Sequence, residues 1–209
     1  MKELRAGIWH WTTFRETIGL NVSSYWVEPA GIVIDPMVPS DVGLDWFADR
    51  DVQPQQVVLT IGLHWRQSDE FAERFGIPVR APAPALERFQ GTDRQAEPFE
   101  WGDEVAPGVT AVEVGAIAPD EAALHIAHGG GAVAIADGLI RSEGGGPLSF
   151  VPDGLMGDDP QDVKDGLRDA FRGLLTREPW DTLLLAHGAP VVGGARRALK
   201  DFVESPDQG

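Results

Sequence analysis

Val57-Val58-Leu59-Thr60-Ile61-Gly62-Leu63-His64-Trp65-Arg66 begins as a strand and ends as a loop carrying an imidazole, an indole and a guanidinium. Its first four residues show no polar alternation, the pattern of a short strand buried on both faces. Such a strand sits inside a sheet that helices cover. The flanking sequence fits that setting. Upstream, residues 5–14 and 20–27 are rich in aromatic and β-branched types and read as strands. The turn Glu28-Pro29-Ala30-Gly31 leads into a strand over 31–35 that stops at Asp35-Pro36. Residues 41–49 suggest a short helix, with Leu44, Phe47 and Ala48 on one side. Downstream, a helix over Ser68–Phe75 stops at Gly76, and residues 77–81 return as a strand.

Residues 82–95, rich in proline and charge, read as an irregular loop with a short helical piece. From 96 to 140 the pattern is β again. Strands over 122–127 and 132–136 flank His128-Gly129-Gly130-Gly131, a glycine hairpin turn. That tetrapeptide imitates the oxyanion loop of esterases, but no Gly-x-Ser-x-Gly nucleophile elbow accompanies it. A long glycine- and proline-rich loop spans 142–158. Pro160–Leu175 reads as a helix, with Val163, Leu167, Ala170, Phe171 and Leu174 at helical spacing and Asp158, Asp159 and Asp162 at its N-terminal end. A buried strand over 182–185 and a closing helix over 193–203 follow, and the last six residues read as a frayed end. Two β-rich halves, each finishing in β-α steps, predict two sheets packed together with helices outside. No linker interrupts the 209 residues, so one domain over 1–209 is expected.

The composition narrows the function classes. Net charge is −16, which disfavours binding to phosphate backbones, so no nucleic acid is expected as a partner. Arg196, Arg197 and Lys200 read as a solvated helix face. No apolar run reaches the roughly 20 residues of a membrane helix, so no membrane partner is expected. The N-terminal residues carry no signal-like apolar core, and there is no cysteine. A cytoplasmic location is the expectation. No phosphate-binding or dinucleotide fingerprint is present.

Four segments together resemble the metallo-β-lactamase family. Ile32-Val33-Ile34-Asp35-Pro36 is similar to that family's strand ending in an aspartate near the metal centre. Residues 57–60 are similar to the strand entering its His-x-His-x-Asp-His loop. Ala134-Ile135-Ala136-Asp137-Gly138 resembles the strand ending in the metal-bridging aspartate. Leu183-Leu184-Leu185-Ala186-His187-Gly188-Ala189-Pro190 resembles the late strand with its histidine ligand. Order and spacing match over about residues 18–203. The resemblance implies an α+β fold, a four-layer αββα sandwich of two mixed β-sheets with helices on the outer faces.

The resemblance also marks departures. Laid on the family motif, Ile61 and Leu63 replace the first two histidines, Trp65 the aspartate and Arg66 the last histidine. His64 falls on a variable position unless the loop shifts by one. The mid-chain ligand loop falls at residues 115–120, where no histidine remains. Asp137 and His187 stay at ligand positions, and His64 is either a replacement ligand or a loop residue beside Trp65. Asp35, Arg66, Trp65, Asp120 and Glu121 are expected to line the cleft. Asp120 and Glu121 are either carboxylates of a remodelled site or an exposed acidic turn. Arg66 is expected to pair with Asp137 or Asp35 and to repel a cation. His10 is a packed strand histidine or a cleft residue.

A hydrolytic zinc needs about three protein ligands and an open position. With two retained ligands, the expectation is no metal or one weakly bound divalent cation, zinc first. Two functions follow. In the first, an eroded site leaves a cleft that binds a small molecule or a protein partner, including a second copy in a homodimer. In the second, the chain is a hydrolase with a remodelled single-metal site at His64, Asp137 and His187 plus Asp120 or Glu121. No catalytic residue is assigned.

Overall fold

Ile32, Val33 and Ile34 show how alternation builds the molecule. The two isoleucines point into a core between two sheets, and Val33 points into an outer layer that helices cover. The computed structural model describes residues 1–177 and 179–205. The chain runs β1 (Lys2–Arg5), β2 (Ile8–Arg15), β3 (Leu20–Val27), β4 (Ile32–Ile34), α1 (Asp45–Ala48), β5 (Gln56–Val58), α2 (Ser68–Phe75), β6 (Val79–Pro82), α3 (Leu86–Phe89) and β7 (Glu97–Phe99). It continues through β8 (Glu104–Ala106), β9 (Val109–Glu113), β10 (Ala122–Ile126), β11 (Ala132–Ile135), β12 (Ile140–Arg141), β13 (Leu148–Ser149), α4 (Pro160–Leu175), β14 (Thr182–Leu185), β15 (Val191–Val192) and α5 (Ala195–Glu204).

Strands β1 to β7 form one sheet in sequence order, and β15-β14-β11-β10-β9-β8 form the other. Both are mixed. The steps β4-β5-β6-β7 and β11-β14 are parallel, and the other pairings within these two sheets are antiparallel. Three apolar layers alternate with the sheets. Tyr25, Ile34, Val58, Ala111, Leu124 and Leu184 fill the space between them. Trp26, Val33, Val57, Phe47, Phe71 and Phe89 fill the layer under α1, α2 and α3. Val133, Ile135, Leu183, Leu167, Phe171 and Leu199 fill the layer under α4 and α5. This is the four-layer αββα sandwich.

Local chemistry sets the helix ends. The Asp159 side chain accepts from the Asp162 amide at 3.1 Å, and Pro160 occupies the first turn of α4. The α2 helix closes at Gly76, whose amide returns to the Ala72 carbonyl. Residues 5–14, read as one strand, are two, because the chain bends at Ala6-Gly7 and pairs β1 back onto β2. The long loop over 142–158 contains β13, paired with β12. Of the residues read as a frayed end, 206–209 lie outside the described residues. No described helix is long and apolar enough to cross a membrane.

Candidate functional site

Parallel neighbours end together, and that places the site. β4 and β5 deliver Asp35 and the 60–66 turn from one sheet, while β11 and β14 deliver Asp137 and His187 from the other. Hydrogen bonds fix the two rims together. The Ser23 amide donates to Ala186 O at 2.9 Å, the Ala122 amide to Thr60 O at 2.7 Å, and Tyr25 Oη to Leu185 O at 2.7 Å.

Asp35 is buried and anchors the first rim. Its Oδ1 accepts from the Thr60 amide at 2.8 Å, and its Oδ2 accepts from Thr60 Oγ1 and from His64 Nδ1 at 2.9 Å. Burial opposes its charge, but His64, Arg66 and Thr60 outweigh that and hold its carboxyl below the usual range. The ionised acceptor holds a proton on His64 Nδ1 and turns Nε2 toward the other rim. Burial opposes charge on this imidazole, but Asp137 and Asp35 outweigh that and raise its pKa. His64 Nε2 lies 3.0 Å from Asp137 Oδ1, and His187 Nε2 lies 3.1 Å from the same oxygen.

These three ligand-type atoms converge without satisfying one another. All lie within 4.8 Å of one another, yet Asp137 Oδ1 is buried and has no partner with hydrogen-bond geometry. Burial opposes ionisation of Asp137, and the two histidines overcome it, holding the carboxyl well below the ordinary range. Two imidazoles and an ionised carboxylate aimed at one small volume form a donor set that suits a divalent cation. His64, legible in the sequence either as ligand or as loop residue, thus stands beside Asp137 and His187.

The other expected cleft residues divide. Arg66 makes no ion pair among the described residues. Its Nη1 donates to the carbonyl oxygens of Ser23 at 2.6 Å and Asp35 at 2.7 Å, while its Nε and Nη2 are buried without partners. The expected bridge to the Asp35 or Asp137 carboxylate is therefore replaced by backbone contacts, because the Asp35 carboxylate is already taken by Thr60 and His64. Trp65 leaves the cleft for the outer apolar layer, where it meets Phe89 edge-on at 5.0 Å and donates to Asp69. Asp120 is no exposed acid. It forms a bidentate pair with Arg88 at 2.7 and 2.8 Å and accepts from the Gly62 amide at 2.9 Å. Glu121 is fully buried, accepts from the Gly138 amide at 2.7 Å, and burial beside Asp137 pushes its carboxyl up to about 8. His10 packs on Tyr25 and meets Ser23 Oγ at 3.0 Å, outside the ligand cluster.

Asp35 and Arg66 are the two non-glycine residues with positive φ among those described, both at +47°. Backbone strain of this kind persists where surrounding contacts over-determine it. Here Ser24 Oγ and Arg66 both donate to Asp35 O, at 2.8 and 2.7 Å. Thr60 and Arg88, which hold Asp35 and Asp120, escaped the reading of the sequence. Arg88 lies in a proline-rich stretch with no motif around it, so nothing local marks it.

Comparisons with known proteins agree with this architecture. The family model described as the metallo-beta-lactamase superfamily matches residues 1–205. The crystal structure of the DIM-1 metallo-beta-lactamase is similar with a TM-score of 0.72 and 11% identity, over 97% of this chain and 95% of that one. A metallo beta lactamase from Erythrobacter litoralis is similar at 0.66 and 17% identity, over 97% and 95%. TTHA1623 in a di-iron-bound form is similar at 0.64 and 20% identity, over 90% and 96%. No curated protein matches significantly. With the family model spanning nearly its whole length and the sandwich in place, the chain belongs to the metallo-beta-lactamase superfamily.

Proposed function

We propose that this chain is a hydrolase of a small-molecule substrate, using one divalent cation held by His64 Nε2, His187 Nε2 and Asp137 Oδ1. The observation that carries this reading is the buried Asp137 Oδ1, which lacks a hydrogen-bond partner while two imidazole nitrogens lie 3.0 and 3.1 Å away. Zinc is the first candidate, and iron the second, since a structural relative is described in a di-iron-bound form. A single cation fits better than two. Ile61 is buried and Leu63 exposed, and as hydrocarbon side chains at the family's ligand positions neither adds a donor.

When bound, such a cation supplies a water of pKa about 7 and polarises a carbonyl or phosphoryl oxygen. The chain's own residues do the rest. Asp35 Oδ2 retains the Nδ1 proton of His64, so that Nε2 is the nitrogen offered to a cation. Thr60 fixes Asp35, so the imidazole does not swing. Arg66, pinned through Nη1, brings a positive charge near Asp35 and Asp137 and favours a substrate bearing negative charge.

That same cation supports a second reading, in which the cleft binds a small molecule or a partner without turnover, since Arg66 also opposes a nearby divalent ion. Chelator-stripped protein reloaded with zinc or iron and offered ester, thioester, lactam and phosphodiester substrates separates the two. The first reading expects turnover that disappears with the metal and returns with it. Turnover indifferent to chelation overturns the metal-dependent reading, and protein that shows neither metal uptake nor turnover favours the second.

A further inference from the structure

Asp120 and Glu121 are consecutive, buried and acidic, and their side chains part to opposite sheets. Asp120 reaches across to the Gly62 amide, at the start of the turn that presents His64. Glu121 reaches the Gly138 amide, next to Asp137. Their backbone is held in the same junction. The Ala122 amide donates to Thr60 O at 2.7 Å, and the amides of Val114 and Gly115 donate to Glu121 O at 3.0 and 3.1 Å. The two receiving positions are both glycine for want of space. A Cβ on Gly62 would stand 3.0 Å from Asp120 Oδ2 and from Arg88 Cδ, and one on Gly138 would stand 2.5 Å from Leu167 Cδ2 and 3.1 Å from Glu121 Oε1.

We infer that Asp120 and Glu121 are positioning residues that set the separation of His64 from Asp137 by clamping the two ligand-bearing turns to one dipeptide. Neither touches a ligand atom of the cluster. Each acts by accepting from a backbone amide, with Arg88 neutralising Asp120 from the other side. The role is one of geometry, so a carbonyl oxygen of the same reach performs it as well as a carboxylate does. The inference rests on the proposed cation site for its functional meaning, though the clamp itself is readable without a metal.

The test uses the full chain and Co2+ alone as probe, with amide hydrogen exchange in parallel. Asp120→Ala and Glu121→Ala are each expected to weaken Co2+ binding about 10- to 100-fold, the range for partners of metal ligands. Asp120→Asn and Glu121→Gln, which keep an acceptor oxygen, are expected to stay within about threefold of the parent, the rescue a charge effect would not give. Exchange at Gly62 should accelerate in Asp120→Ala alone, and at Gly138 in Glu121→Ala alone. Should Asp120→Ala fail to fold with Arg88 left unpaired, the Arg88→Ala/Asp120→Ala pair gives the same reading. Equal losses in the amide and alanine variants overturn the clamp, as does unchanged exchange at both glycines. A parent that binds no Co2+ but shows the selective exchange pattern refutes the cation site and leaves the clamp standing.

Discussion

Asp35→Asn isolates the charge at the heart of the first rim. Asparagine matches aspartate in size and tolerates the +47° φ of this position, so backbone strain does not change. The carboxylate accepts three hydrogen bonds, from the Thr60 amide, Thr60 Oγ1 and His64 Nδ1. Bonds to a charged acceptor contribute about 1.5–3 kcal/mol each and neutral ones about 0.5–1.5. Losing the charge therefore costs about 1 kcal/mol per bond, or about 3 kcal/mol in all. In a chain of this size that lowers the thermal midpoint by about 6–12 °C. The Asn NH2 cannot face the Thr60 amide, so it takes the Oδ2 side. There Thr60 Oγ1 can rotate to accept, but His64 must surrender its Nδ1 proton and carry it on Nε2. The variant should thus lose metal affinity about 10- to 100-fold as well as stability. Urea denaturation and Zn2+ titration measure both. A variant within about 1 kcal/mol of the parent, binding metal equally well, would refute the claim that Asp35 sets the tautomer.

Burial, aided by Lys2 and the N-terminus, pushes His10 down to about 4, so it stays neutral when folded. Its folded value lies below its unfolded 6.5, so the unfolded chain takes the proton first. Its share of stability is present above pH 6.5 and is lost between 6.5 and 4, by at most about 3 kcal/mol. His10→Phe, stacked on Tyr25, should flatten that part of the stability–pH curve; an unchanged slope excludes His10 as its source. At Arg66, φ +47° and ψ −118° suit glycine alone. Arg66→Gly should accordingly be more stable than Arg66→Ala by about 1 kcal/mol or more in chemical denaturation, and the reverse order would show that no strain is stored there. At Gly188 a Cβ would lie 1.5 Å from Arg141 O at φ +91°. Gly188→Ala should cost at least about 3 kcal/mol and shift the His187 loop, and a normal thermal midpoint would show that the loop yields freely.

Periodicity carried the fold. Ile32-Val33-Ile34 and residues 57–58 divide their side chains between two layers, and the helices over 68–75 and 160–175 stop and start where Gly76 and Asp159-Pro160 say they should. Asp137 and His187 were legible through the family resemblance, each lying two residues past a buried strand, where the chain reaches the sandwich rim. His64 was harder. Its role depends on Asp35, 29 residues earlier, and on a tight turn that no local pattern registers. Arg66 was misjudged for a related reason. Charge alone suggested a carboxylate partner, but the carboxylate had stronger suitors and the guanidinium took two carbonyl oxygens instead. For Asp120 and Glu121, the sequence suggested either carboxylates of a remodelled site or an exposed acidic turn. They lie in the turn before β10, from which one side chain reaches Gly62 and the other Gly138, and both are buried.

The central claim is that His64, Asp137 and His187 hold one divalent cation. Its most direct test is elemental analysis of the purified chain joined to an anomalous-difference map from zinc-soaked crystals. The account predicts one equivalent of metal and a single peak bounded by His64 Nε2, His187 Nε2 and Asp137 Oδ1. A metal-free protein whose soaked crystals show no peak there, or a peak on other residues, would contradict it.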